Sequence, residues 1–110
     1  MFCFLDRVVL SVGLLALAFP ASAQEKPTKV EIGKRGKAAT AFVDVPRRGT
    51  GTAFCVHPSG LFITNEHVVR GAEKEEITLV LNPAVENQRV LKAKVVRMDK
   101  ALDLALLRVD

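Results

Sequence analysis

The sequence predicts an all-β domain, an antiparallel sandwich or barrel of six short strands, over residues 38–110. Three observations predict it. Apolar and polar residues alternate in runs of a few residues, the period of a half-buried strand. Turn-forming residues cut these runs at short, regular intervals. No amphipathic helix intervenes between them, which disfavours parallel strand–helix–strand units and favours antiparallel pairing.

Ala38 to Val45 reads as a first strand, with Ala39, Ala41, Val43 and Val45 on one face. Pro46-Arg47-Arg48-Gly49 is a turn, and Thr50 to Val56 a second strand in which Gly51 suits a bulge or a close backbone approach. His57-Pro58-Ser59-Gly60 supplies Pro and Gly to a tight turn, and Leu61 to Asn65 follows as the strand that completes a hairpin. His67 to Ala72 is long enough for one helical turn ending at Gly71. Glu76 to Asn82 is a fourth strand with Ile77, Leu79 and Leu81 inward, and Asn82 to Gln88 a polar loop. Val90 to Met98 is a fifth, whose alternation changes phase at Val95-Val96 and so predicts a bulge. Leu102 to Val109 is the sixth.

The chain ahead of these strands has a different character. Val8 to Phe19 is an apolar run preceded by Arg7 and followed by Pro20-Ala21-Ser22-Ala23. Such a run closed by a small-residue A-x-A site reads as a secretory signal peptide, residues 1–23, and implies export to the periplasm or the extracellular space. The run is shorter than the ~20 residues a spanning helix needs, so no stable membrane span is expected after cleavage; an uncleaved anchor is the alternative. Residues 24–37 (QEKPTKVEIGKRGK) are charged and hold no sustained periodicity, which predicts a leader or linker.

The formal charge is +4, and removal of Arg7 with Asp6 leaves it unchanged. Seven basic residues fall between Lys26 and Arg48. With no Trp or Tyr to stack on bases and no nucleic-acid motif, a solvated leader is the favoured reading over nucleic-acid binding. Cys3 leaves with the signal peptide, so Cys55 is expected as a lone thiol, either buried or open to intermolecular pairing, and its neighbours Phe54 and Val56 favour burial. Neither a metal nor an organic cofactor is expected: Glu66-His67-Val68-Val69-Arg70 is not a zinc-protease motif, and Gly33-Lys34 and Gly36-Lys37 lack the spacing of a phosphate loop.

Two positions carry chemistry. His67 follows the hairpin directly, in Thr64-Asn65-Glu66-His67-Val68-Val69, where a rigid strand end suits a general base. Its structural alternative is a half-buried imidazole satisfied by a backbone carbonyl. Asp103 sits in Leu102-Asp103-Leu104-Ala105-Leu106-Leu107. A carboxylate buried among leucines costs roughly several kcal/mol unless paired. A histidine Nδ1–H is one partner; the alternative is a solvated Asp at the mouth of the strand that bonds turn amides.

The stretches GTGTAFCVHPSGLFITNEHVVRGA (Gly49 to Ala72) and ITLVL followed by VLKAKVVRMDKALDLALLRVD (Ile77 to Asp110) together resemble the trypsin-like serine proteases, in particular the HtrA/Deg-type two-barrel peptidases. The resemblance implies a six-stranded antiparallel β-barrel, the first of two. It implies catalytic roles for His67 in the T-N-x-H-V-V run and for Asp103 in the D-L-A-L-L run, and protein or peptide substrates. The family's nucleophile lies in a glycine-rich loop of the second barrel, so this chain is expected to need the C-terminal barrel as a partner and to be inactive alone. Ser59, the one serine after residue 23, stands in the wrong order and place to replace it. A secreted, non-catalytic β-barrel binding module is the alternative function.

Overall fold

The structure is a computed structural model and describes residues 25–110; the expected signal peptide lies outside the described residues. Six strands form: β1 (Thr40–Val45), β2 (Gly49–His57), β3 (Leu61–Thr64), β4 (Ile77–Leu81), β5 (Arg89–Asp99) and β6 (Leu104–Val109). Alternation decides their faces. Ala41, Val43 and Val45 of β1 are buried while Thr40, Phe42 and Asp44 between them are exposed, and Ile77, Leu79 and Leu81 of β4 point inward together.

All pairings are antiparallel, in the closed order β1-β2-β3-β6-β5-β4. Closure by the β1–β4 seam gives every strand two neighbours and leaves no row of unpaired backbone groups at an edge. The barrel is therefore the form taken, rather than a sandwich. Its core is filled by Phe62, Ile77, Leu79, Leu107, Val43 and Val45, with Ala41, Ala53, Ala93 and Ala105 leaving room for them.

The turns follow their residues. Arg48 N–H closes on Val45 C=O at 3.1 Å, and Gly60 N–H on His57 C=O at 3.1 Å with Gly60 at φ +91°. Ser59 adds its own N–H and hydroxyl to His57 Nδ1, at 3.1 and 2.7 Å. The predicted β5 bulge is present, since the register with β6 slips between Val95 and Arg97. Gly51 is not a bulge; the β2 bulge falls between Cys55 and His57, and Gly51 serves close approach instead.

Two expectations need correction. The charged leader is not irregular: Lys29–Ala39 forms helix α1, so the first strand begins at Thr40 rather than Ala38. A capping box starts it, with Thr28 Oγ1 accepting from Glu31 N–H (3.2 Å) and Glu31 Oε2 accepting from Thr28 N–H (2.7 Å). None of its residues is buried, so local bonds rather than packing hold it. The second concerns Cys55, which is not a lone thiol. It is disulfide-bonded; the expectation of a lone thiol had assumed removal of the N-terminal segment.

The outer wall over β2, β3 and β6 is unusually apolar. Phe54 pairs with Ile63, and Ile63 with Leu106, in one row across three strands. Phe54 (50% exposed), Val56 (44%) and Leu104 (41%) extend this face into solvent.

Candidate active site

The site forms where β3 ends. Asn65, with extended backbone, is the N-cap of the short helix α2 (Glu66–Val69). Val69 is wholly buried and anchors this turn to the barrel core. Val68 packs over Gly51: a Cβ on that glycine would lie 2.7 and 2.8 Å from the two Val68 methyls, closer than side-chain atoms approach. The missing side chain at Gly51 lets α2 settle on β2. Gly71, at φ +81°, then ends the turn beneath the Arg48 guanidinium.

Glu66 is buried, with 4% of its surface exposed, and its carboxylate takes two bonds from Arg70 Nε at 3.0 and 3.1 Å as well as one from Nη2. Hydrogen bonding from Arg70 holds the Glu66 carboxyl below its ordinary range and raises the guanidinium in return. This fork staples one end of α2 to the other. His67 stands between the two, on the outside of the turn, with its side chain 59% exposed.

Asp103 comes from the other side of the β3–β6 seam. The turn before β6 is held by Asp99, whose Oδ1 accepts from Leu102 N–H at 2.9 Å, and by Asp103 N–H bonding to Lys100 C=O at 3.3 Å. Asp103 closes this turn in the left-handed region, φ +51°. Its side chain is 43% exposed, so the expected burial among leucines does not occur. The neighbouring leucines explain why: Leu102 is 69% and Leu104 41% exposed, and burial resumes only at Ala105. Asp103 stands at the strand mouth, as its structural alternative had it, and it also meets the histidine.

The contact between them is close. His67 Nδ1 lies 2.8 Å from Asp103 Oδ2 and 3.0 Å from Oδ1, and His67 N–H donates to Oδ1 at 3.0 Å. An ionised carboxylate only accepts, so Nδ1 carries the proton and, in the neutral ring, Nε2 is the basic nitrogen. The His67 backbone N–H, then its ring N–H, hold the Asp103 carboxyl below its ordinary value, and Arg70 adds to this at longer range. Asn65 completes the set, its Nδ2 donating to Asp103 C=O at 3.1 Å and to Oδ2 at 3.3 Å.

Residues 51–110 match the trypsin-like peptidase domain. The chain belongs to that family. Its HtrA-type branch is supported by curated relatives and by solved structures. A probable periplasmic serine endoprotease, DegP-like, of Halomonas elongata is 42% identical over 64 residues, covering 58% of this chain and 12% of that protein. Protease Do-like 1, chloroplastic, of Arabidopsis thaliana is 38% identical over 68 residues, 62% of this chain and 14% of that protein. The crystal structure of a serine endoprotease from Yersinia pestis superposes with a TM-score of 0.62 at 29% identity, over 78% of this chain and 31% of that one. The structure of Deg5 gives the same TM-score at 22% identity, a likeness of fold. The chain thus spans about one seventh or less of the length of these curated relatives.

Sequence reasoning brought His67 and Asp103 forward, and the trypsin-like barrel places them together. It missed Asn65 and the Glu66–Arg70 fork. The spacing of Glu66 and Arg70, four residues apart, was a signal for the fork. Nothing local signals Asn65, whose partner is 38 residues away. Ser59 lies in the β2–β3 turn, at the far end of β3 from His67.

Proposed function

We propose that this barrel supplies the histidine and aspartate of a Ser-His-Asp triad to an exported serine endopeptidase. The observation that carries the reading is the contact of His67 Nδ1 with both Asp103 oxygens. In this role His67 Nε2 takes the proton of a serine hydroxyl as the hydroxyl attacks the scissile carbonyl, then returns it to the leaving amine. Asp103 keeps the ring in the required tautomer and stabilises the imidazolium. The substrate is protein or peptide, as the names of the relatives suggest, and the word periplasmic in the name of the Halomonas elongata relative supports export. The nucleophile comes from a second barrel, docked on the apolar wall over β2, β3 and β6.

The test is a chimera in which residues 49–110 replace the matching part of the Halomonas elongata relative. The chimera is expected to hydrolyse an unfolded protein, and Asp103→Asn to lower kcat by about 10⁴-fold. A folded chimera that is inactive, or one indifferent to Asp103→Asn, overturns the reading. The chain by itself is expected to resist a serine-directed fluorophosphonate. Labelling abolished by Ser59→Ala would place the nucleophile in the β2–β3 turn instead.

A further inference from the structure

Asp103, which bonds His67, has a backbone conformation that non-glycine residues seldom occupy, φ +51°. Asp and Asn tolerate it better than other side chains, but something must still select it. The turn bond from Asp103 N–H to Lys100 C=O is long, 3.3 Å, and fixes the amide rather than the carbonyl. The carbonyl lies just beyond the regular β3–β6 ladder, whose last rung is Thr64 opposite Ala105. At that point β3 gives way to α2, and among the described residues no backbone N–H donates to Asp103 C=O. The Asn65 side chain takes over: one Nδ2 group reaches the carbonyl at 3.1 Å and the Oδ2 carboxylate oxygen at 3.3 Å.

We infer that Asn65 is a positioning residue that holds Asp103 in its left-handed turn and aims its carboxylate at His67. The inference rests on the reading of His67 and Asp103 as a working pair. Two alternative uses of Asn65 are disfavoured by its geometry. It stands at the N-cap of α2, yet its side chain makes no capping bond to that helix. It is exposed, so it fills no space in the core. Its amide has two hydrogens, and both acceptors belong to Asp103. The bond to the backbone selects the turn, and the bond to Oδ2 sets the side-chain rotation. Because Asn65 and His67 flank Glu66 on one rigid turn, the residue that aims Asp103 moves with the ring that receives it.

The test is nitrogen NMR of the His67 ring in the intact chain, read as the proportion of the Nδ1–H tautomer at a pH where the ring is neutral. The parent is expected to show mainly Nδ1–H, and Asp103→Asn to lose it. Asn65→Ala is expected to reduce Nδ1–H to the minor tautomer while the backbone amide spectrum of the strands stays in place. Asn65→Ser separates positioning from capping: serine is a good N-cap but too short to reach Asp103, so it is expected to behave as alanine does. A parent without Nδ1–H sinks the pair itself. A parent with it, matched by Asn65→Ala or restored by Asn65→Ser, overturns the role given to Asn65 and leaves the pair standing.

Discussion

The Asp103 carboxylate receives three kinds of donor: the His67 backbone N–H, the His67 ring and the Asn65 amide. The first two lower its pKa, which links folding to pH. The unfolded value is about 3.9, and the folded value lies beneath it. The ionised group therefore adds its full stabilisation above about pH 4, and loses it as pH falls through the depressed folded value. Urea midpoints of the parent and Asp103→Asn are expected to differ most near neutrality and to converge on acidification. An equal gap at every pH would contradict the pairing. Strand context and the resemblance of the surrounding runs to trypsin-like proteases made His67 and Asp103 visible as candidates, whereas exposure was not legible. The leucines around Asp103 look like a buried run, yet those on either side of it turn outward because the turn, not the strand, sets the phase there.

Elements show the same division between periodic and local signals. All six strands were legible because each buries one face, and the phase change at Val95-Val96 announced its bulge. Helix α1 escaped because it buries nothing, so no apolar stripe marks it. Its Thr28-x-x-Glu31 capping box was the available signal. The place of α2 depends on Gly51, whose partner Val68 comes from a different element. Gly51→Ala is expected to cost about 1–3 kcal/mol through overpacking against the Val68 methyls. Adding Val68→Ala is expected to recover most of that loss, because the two sites share one contact. Denaturant melts of the single and double variants measure both. Strictly additive effects would show that Gly51 has another reason to be glycine.

For the whole molecule, closing the sheet removes edges but moves exposure to the wall. Core residues such as Phe62 and Leu107 are out of water, while Phe54, Val56 and Leu104 remain in it. Contiguous apolar patches of several hundred Å² promote association. The isolated chain is therefore expected to sediment as concentration-dependent oligomers, and Phe54→Lys to shift it towards monomer. A chain that is monomeric over the whole accessible concentration range would show that this wall needs no cover. The barrel was foreseeable from strand count and resemblance, but the identity of the exposed wall required the register, since Phe54, Ile63 and Leu106 meet only once β2, β3 and β6 are aligned.

The strand order also sets when the site comes into being. Four of the six seams, β1–β2, β2–β3, β4–β5 and β5–β6, join strands that follow one another in sequence. The β1–β4 and β3–β6 seams do not, and His67 and Asp103 meet across the second of these, 36 residues apart. Bringing such distant segments together costs about 3 kcal/mol of loop-closure entropy, beyond a constant term, before any contact repays it. Hairpins close in about 1–10 μs, and non-local pairing is slower. The histidine and aspartate therefore come together at a late step, when two nearly finished hairpin units zip shut, and a chain stalled before that step holds both residues but no pair.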